Sequence, residues 1–92
     1  MALAGKTTVT TAGTGVPLGS QQINGPLMVK ALLANTNNIY VGDSDVDKTA
    51  KNGLELDAGE VVIFSYVGNL STIYIDADTN GEGVSWIMLG VM

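Results

Sequence analysis

Hydrophobic and polar positions alternate at short range along most of this chain, in segments that glycine, asparagine and aspartate separate. Residues 7–11, 54–56, 61–67, 72–77 and 84–89 are rich in β-branched, aromatic or other apolar side chains, and most of them end at such small or polar residues. Alternation of this kind is typical of strands, and the segments are short for helices. The pattern predicts an all-β antiparallel sandwich or jelly-roll-like barrel of about seven to eight short strands.

The middle of the chain adds a predicted hairpin. Residues 27–35 form the first long apolar segment, and the Asn24-Gly25-Pro26 sequence before it predicts a turn. Thr36-Asn37-Asn38 predicts a second turn that returns the chain into residues 39–42 as an antiparallel partner, because asparagine tolerates positive φ angles. Residues 43–52, which carry two lysines and three aspartates, predict a polar surface loop.

The whole chain, residues 1–92, is predicted to be a single β domain whose first six residues form a flexible N-terminal arm. Two of its segments are apolar on both faces, residues 61–67 and residues 86–92. A strand in a small sandwich normally buries only one face. Each segment is therefore either a strand sheltered by loops or a strand whose second face packs against another subunit, and the second interpretation is favoured.

Composition excludes much chemistry. The chain has 92 residues with a formal net charge of −5, four lysines against nine acidic residues, and neither cysteine nor histidine. Nucleophilic triads that need histidine, thiolate chemistry and zinc sites built on these ligands are excluded. The negative charge disfavours nucleic acid as a partner, and no segment is apolar for long enough to predict a membrane span. We expect no enzymatic activity and no cofactor.

One acidic segment matches the opening of a calcium-binding loop. Asp76, Asp78 and Asn80 supply oxygens at alternating positions, followed by Gly81. The twelfth position of that pattern is Ile87 instead of glutamate. The favoured interpretation is a hairpin loop whose Asn-Gly pair provides the positive φ angles, with a calcium site as the alternative.

The remaining polar and aromatic candidates also have structural interpretations. Asp43, Asp45 and Asp47 are spaced so that their carboxylates repel one another, and nearby lysines are expected to neutralise them in a solvated loop. The alternatives are a contact with a basic patch on a partner and, after that, a metal site. Trp86 and the three tyrosines are candidates for a sugar-stacking platform. Trp86, however, lies on the same strand face as Val84 and Met88 and is therefore expected to lie in the core.

Five phrases in this order resemble a group of small virion structural proteins of tailed bacteriophages. The phrases are TAGT at residues 11–14, ANT at 34–36 leading to IYVG at 39–42, GLELDAGE at 53–60, NLSTIYI at 69–75 and VSW at 84–86. The resemblance covers nearly the whole chain and implies a β-sandwich with a capsid decoration (cement) role. It brings no catalytic or ligand-binding residues with it.

The resemblance sets the functional expectation. It implies a protein on the capsid surface of the virion that binds the major capsid protein, associates with itself as a homotrimer and stabilises the shell. The N-terminal arm, residues 1–9, and the apolar C-terminus, residues 88–92, are expected to carry the contacts. The alternative is a tail, baseplate or fibre component that binds glycans or calcium. The individual candidate contact residues are Leu3, Val9, Met88, Leu89, Val91 and Met92.

Overall fold

A computed structural model describes residues 3–89 of the chain. Within them the chain forms eight strands and a short 3₁₀ helix at Leu70–Thr72. No helix in this part of the chain is long and apolar enough to cross a membrane. The strands are β1 (Ala4–Thr8), β2 (Val16–Pro17), β3 (Gln22–Ala31), β4 (Ile39–Gly42), β5 (Leu54–Leu56), β6 (Val61–Asn69), β7 (Tyr74–Ala77) and β8 (Gly83–Met88).

The strands form two four-stranded antiparallel sheets. Sheet I has the order β1-β8-β3-β6 and sheet II the order β2-β7-β4-β5. Strand β1 pairs with β8, β2 with β7, β3 with β6 and β4 with β5. This nested pairing is that of a long antiparallel hairpin rolled over itself, which is the jelly-roll topology. The predicted all-β antiparallel fold is therefore confirmed.

The core lies between the two sheets and is built from alternate residues of the strands. Side chains at every second position of β3 and β8 point inward, as the period of two requires. Trp86 packs against this core, as the alternation along its strand predicts. The buried cluster consists of Val9, Leu18, Ile23, Leu27, Val29, Ala31, Ile39, Val41, Leu56, Val67, Leu70, Ile75, Ala77, Val84 and Met88.

The predicted turn at Asn24-Gly25-Pro26 is wrong, because these residues lie inside β3. The register between β3 and β6 shifts on both sides of Gly25, and Asn24 has a φ of 49°. Between Gln22 and Gly25 the extra residue lies on β3, and between Gly25 and Leu27 it lies on β6, so each strand bulges once without leaving the sheet. Asparagine, glycine and proline therefore mark a bulge at this position.

The predicted hairpin between residues 27–35 and 39–42 is also wrong. Strand β3 pairs with β6 and β8, whereas β4 pairs with β5 and β7 in the other sheet. The connection between β3 and β4 crosses from one sheet to the other. Asn35 holds it there, because its side-chain Nδ2 donates to the Gly83 carbonyl (2.9 Å) and its Oδ1 accepts from the Gly83 N–H (3.3 Å).

The expectation of a flexible N-terminal arm is wrong for residues 4–6, because they belong to β1 and pair with β8. The pairing continues beyond the strand, since the Met88 N–H donates to the Leu3 carbonyl at 2.8 Å. Gly5 allows the Trp86 indole to lie across β1, because a Cβ on Gly5 would be 2.6 Å from Trp86 Cζ2. Met1 and Ala2 lie outside the described residues.

Candidate functional site

An apolar row crosses the outer face of sheet I. The register places Ala4 beside Ile87, Ile87 beside Met28 and Met28 beside Ile63, so these side chains share one face. The core residues of the same strands occupy the alternate positions, so the row points to solvent. We call Ala4, Ile87, Met28 and Ile63 the apolar row.

Much of the apolar row is uncovered. Ile63 is 58% exposed and Ile87 is 38% exposed, and Leu89, next on the same side of the chain, is also exposed. Single exposed apolar residues are common on proteins, but a contiguous group of them marks interaction surfaces. A shallow depression of about 230 Å³ lies on this face, lined by Met28, Lys30, Ser85, Trp86 and Ile87.

The row next to it carries positive charge. Lys6 and Lys30 both pair with Ser85, one from each side, and Val61 follows on β6. No acidic residue lies in any of the four strands of sheet I, although the chain has nine. The outer face of sheet I therefore combines apolar side chains with two lysines, on a protein whose net charge is negative.

The outer face of sheet II is closed by loops, and Asp76 is their anchor. Asp76 lies beside Tyr40 on this face, yet both residues have no exposed surface. The Asp76 carboxylate accepts hydrogen bonds from the N–H groups of Gly13 and Lys48, each at 2.9 Å, and of Ala77 at 2.8 Å. Two separate loops, residues 11–15 and 43–53, are thus tied to one strand by a single buried side chain.

An apolar contact and tight glycines complete this closure. Val46 is buried beneath the loop, outside the main core cluster. A Cβ on Gly53 would lie 3.0 Å from both Val46 Cγ2 and the Val41 carbonyl oxygen, and Gly53 has a φ of 124°. A Cβ on Gly15 would lie 3.0 Å from Val46 Cγ1. The backbone therefore approaches Val46 closely on two sides, which only glycine permits.

Tyr40, on the closed face of sheet II, contacts Asp78 and Lys51. Its hydroxyl donates to the Asp78 carboxylate, with oxygen distances of 3.2 and 3.3 Å. Lys51 Nζ lies 5.9 Å from the centre of the Tyr40 ring. Burial raises the pKa of Tyr40 above its usual value, and the neighbouring Asp78 carboxylate raises it further. Lys51 thus covers an aromatic ring, a role that the sequence prediction of a lysine neutralising aspartates did not include.

The carboxylate of Glu82 fixes the crossover between the sheets. Its Oε2 accepts from the Thr36 N–H at 2.6 Å and from the Thr36 hydroxyl at 2.9 Å, and its Oε1 accepts from the Asn37 N–H at 3.2 Å. Burial acts to raise the pKa of Glu82, but these donors stabilise the carboxylate more strongly and hold the pKa below its usual value.

The predicted calcium-loop residues are brought near one another, but each uses its oxygens elsewhere. Asp76 binds backbone N–H groups, Asp78 accepts from Tyr40, and Asn80 Oδ1 accepts from the Ala12 N–H at 2.7 Å. Among residues 3–89, no three acidic side chains are grouped as a metal-ligand set. The predicted hairpin loop is wrong, because β7 and β8 lie in different sheets and this segment crosses between them. Of the Asn-Gly pair, Gly81 has a positive φ, 83°, and Asn80 does not.

The other predicted acidic cluster shapes its own loop. Asp43 Oδ1 accepts from the Asp45 N–H, and Asp47 Oδ1 accepts from the Thr49 N–H, each at 2.9 Å. Asp47 also pairs with Asn52 in an isolated bridge. These aspartates direct the course of the loop that covers sheet II.

The predicted contact residues differ in how far they are buried. Val9 and Met88 lie in the core, with 0% and 3% exposure, because both point inward at strand ends, so they offer no surface for a partner. Leu3 is partly buried against the core, and Leu89 is exposed. Val91 and Met92 lie outside the described residues.

The aromatic residues do not form one platform. Tyr40 is buried in sheet II, whereas Tyr66 lies on β6 in sheet I, where it is 65% exposed and its hydroxyl donates to Asn24 Oδ1 at 3.2 Å. Trp86 lies against Gly5, and its Nε1 donates to the Thr7 hydroxyl at 3.3 Å. A flat stacking surface needs rings that share a face, and these rings do not.

Sequence reasoning missed Met28 as a member of the apolar row and Asp76 and Glu82 as loop anchors. The sequence signal for Met28 is its position between Leu27 and Val29 in a strand, which places its side chain on the opposite face from theirs. The anchors had none, since their partners come from loops distant in the chain. Comparisons with protein-family models, with curated proteins and with solved structures found no match. The surface best suited to binding is thus identified by geometry: an exposed apolar row beside two lysines.

Proposed function

We propose that this chain is a non-enzymatic virion structural protein, a capsid decoration (cement) protein that binds the outside of a phage capsid as a homo-oligomer and stabilises it. The observation that carries the proposal is the uncovered apolar row on sheet I, opposite a closed outer face on sheet II. A protein with one face covered by its own loops and one exposed apolar face is suited to binding a large surface.

Two further arguments support the proposal. The jelly roll is a fold that viral capsid domains use, although a fold alone does not define a function. The phrases that resemble small phage virion proteins lie on both sheets and on the loops that join them. Since histidine and cysteine are absent, the commonest catalytic arrangements are not available to the chain.

The proposed partner is the major capsid protein. Copies that cover a junction between capsid subunits would bury the apolar row there, and separating the subunits would expose it to water again. Lys6 and Lys30 favour a partner surface with acidic groups beside its apolar patch, because opposite charges speed and orient association. The outer face of sheet I is the proposed capsid-binding face.

Purified particles provide the test. Heads and tails of the phage whose particles contain this chain are separated, and the copies of the chain in each are counted by mass spectrometry. A decoration protein is found on heads, and its removal lowers the temperature at which heads release their DNA. Recovery of the chain in tails alone would instead favour the tail or baseplate function.

Matched variants then connect the location with the surface. Ile63→Thr and Ile87→Thr alter the apolar row, while Leu54→Thr alters an exposed leucine of sheet II. We expect the first two to reduce occupancy on heads and the third to leave it unchanged. Equal occupancy for all three would remove the outer face of sheet I as the capsid-binding face.

A further inference from the structure

Two bulges lie close together at one end of sheet I, one on β3 and one on β6. Strand β8 pairs with β3 only from Leu27 onward, so residues 22–25 of β3 pair with β6 alone. The two extra residues cancel, because the register between β3 and β6 is the same before Gly25 as after it. The bulges therefore leave the rest of the ladder unchanged, and their effect is on the direction of the side chains between them.

Tyr66 is the large side chain that the β6 bulge turns outward. Phe64 packs against the core and Val67 is buried, so Ser65 and Tyr66 lie between two inward positions where strict alternation allows only one residue. Tyr66 is 65% exposed, whereas the other aromatic side chains are buried or partly buried. A bulge on an edge strand also hinders pairing with other chains, but that role does not require an exposed aromatic ring.

The Tyr66 ring is held in place although it is exposed. Its hydroxyl donates to Asn24 Oδ1 at 3.2 Å, and the same oxygen accepts from Gln22 Nε2 at 3.2 Å. A Cβ on Gly68 would lie 3.9 Å from both Cε2 and the hydroxyl of Tyr66, so the ring runs beside the β6 backbone. A ring fixed in this way loses little conformational freedom when a ligand packs on it.

The amides beside the ring retain free hydrogen-bonding groups. Asn24 has a φ of 49°, in a region that few residues other than glycine adopt, and such backbone strain is concentrated at ligand sites. Neither Asn24 Nδ2 nor Gln22 Oε1 bonds to another group within residues 3–89. The exposed ring is therefore flanked by one free amide donor and one free amide acceptor.

We infer that Tyr66, Asn24 and Gln22 form a binding site for one neutral hexose ring of a glycan. The C–H groups on one face of a sugar ring carry partial positive charge and pack on the negative face of an aromatic ring. Sugar hydroxyls both donate and accept, so they match the free amide groups. One fixed ring thus takes the place of the sugar-stacking platform that the sequence suggested for Trp86 and the three tyrosines.

Charge and polarity favour a neutral sugar over other ligands. Strand β6 and residues 22–25 contain no charged residue, and the net charge of −5 disfavours acidic sugars. An apolar protein surface would bury the amides of Asn24 and Gln22 without partners, which is unfavourable. The inference is independent of the proposed function, since Asn24 precedes Met28 of the apolar row by four residues along β3, about 13 Å.

Amide spectra of the full chain test this site, with the methyl glycosides of galactose, glucose and mannose as probes. One stacked ring and a few hydrogen bonds give weak binding, so the probes are added at millimolar concentrations. At least one should cause saturable shifts at residues 22–25 and 65–68 and none at residues 85–87. The absence of saturable shifts with all three would overturn the inference, and equal binding of methyl glucuronide would overturn the neutral class.

Variants test the roles of the ring and the amide. Tyr66→Ala should weaken binding about fivefold or more, whereas Tyr66→Phe keeps the ring and should retain most of the affinity. Asn24→Gly permits the φ of 49° without the side chain and should weaken binding about fivefold. Leu33→Ala, at a site that is 75% exposed in the segment after β3, is the control and should bind like wild type.

Two results with these variants would contradict the site. Unchanged glycoside binding by a folded Tyr66→Ala protein would overturn the assignment of the ring. A chain that binds no glycoside, and whose occupancy on heads falls with Tyr66→Ala, would assign the ring to a protein contact instead.

Discussion

The two sheets of this jelly roll meet the solvent in opposite ways. On sheet II, the loop at residues 43–53 folds back over the outer face, and Asp76 and Tyr40 beneath it have no exposed surface. On sheet I, no loop among the described residues crosses the apolar row, and Ile63 remains 58% exposed. The covered face is polar and hydrogen-bonded, whereas the uncovered face combines the apolar row with Lys6 and Lys30.

This difference separates a face whose hydrogen-bonding groups are paired within the chain from a face whose apolar side chains remain exposed. On the closed face, the buried Asp76 carboxylate accepts hydrogen bonds from backbone N–H groups of the two loops. These N–H groups are therefore removed from water without losing a hydrogen-bond acceptor. Within residues 3–89, no loop covers the open face and its strands contain no acidic residue, and its apolar side chains gain by leaving water. Predictions that separate the two faces therefore test the account.

The largest expected effect is at the anchor of the closed face. Asp76→Ala leaves three backbone N–H groups without their acceptor in a buried site, and we expect the free energy of unfolding to fall by about 3 kcal/mol. Urea denaturation measures it. The control is Asp45→Ala, in the loop at residues 43–53 that Asp76 anchors, and it is expected to stay within about 0.5 kcal/mol of wild type. Equal losses for both would mean that Asp76 is not the anchor.

The next effect concerns the carboxylate that fixes the crossover between the faces. Glu82→Gln should lower the free energy of unfolding at neutral pH by about 1.5 kcal/mol, because the donors of Thr36 and Asn37 lose a charged acceptor. Its pKa in the folded protein is below the ordinary value of 4.5, so its stabilisation is present above that value and disappears as pH falls through the folded pKa.

Denaturation between about pH 6 and pH 3 checks this dependence, because the window spans the ordinary carboxyl pKa values. The wild-type stability should decrease with falling pH more steeply than that of the Glu82→Gln variant. Glu55→Gln, at an exposed site, should keep the wild-type slope. Identical slopes for wild type and Glu82→Gln would contradict the account of this site.

A smaller effect is expected at Tyr40, on the closed face. Tyr40→Phe removes the hydroxyl that donates to Asp78 and should cost about 1 kcal/mol. The pKa of Tyr40 lies above 10.0, so its contribution is present below that value and is lost as pH rises through the folded pKa. Ultraviolet titration of phenolate should lose its highest-pH component in the variant, while Tyr66→Phe, on an exposed ring, should retain it.

The smallest effect on stability is expected on the open face. Ile63→Thr and Ile87→Thr keep β-branched side chains on a sheet surface, and each should change the free energy of unfolding by less than about 1 kcal/mol. Both should shorten retention on a hydrophobic column. Ile75→Thr, in the core, should by contrast be strongly destabilising because it buries a hydroxyl where an apolar side chain packs.

The sequence predicted the class of fold because alternation and turn residues are local signals. Strands β5, β7 and β8 lie close to their predicted positions. The partners of the strands were not predictable, because the turn at residues 36–38 has the same composition whether the chain forms a hairpin or crosses to the other sheet. Asn24 and Gly25 illustrate the same limit, since a bulge and a turn both use positive or unusual φ angles.

The candidate surface was predictable in part. The sequence indicated that residues 61–67 are apolar on both faces, and the structure shows that Val61 and Ile63 are indeed exposed on β6. It also suggested Val9 and Met88 as contacts, and these are buried because each takes an inward position at the end of a strand. Which face of a strand is inward depends on the opposite sheet, and no short segment contains that information.

Side-chain footprinting of the chain, free and bound to heads, tests the central claim most directly. Hydroxyl radicals oxidise exposed side chains, and mass spectrometry measures the oxidation of each residue. Binding should lower the oxidation of Met28, Ile63 and Ile87 and leave that of Leu54, which is exposed on sheet II, unchanged. Protection of the loop at residues 43–53, with unchanged oxidation of the apolar row, would show that the chain binds through the closed face of sheet II.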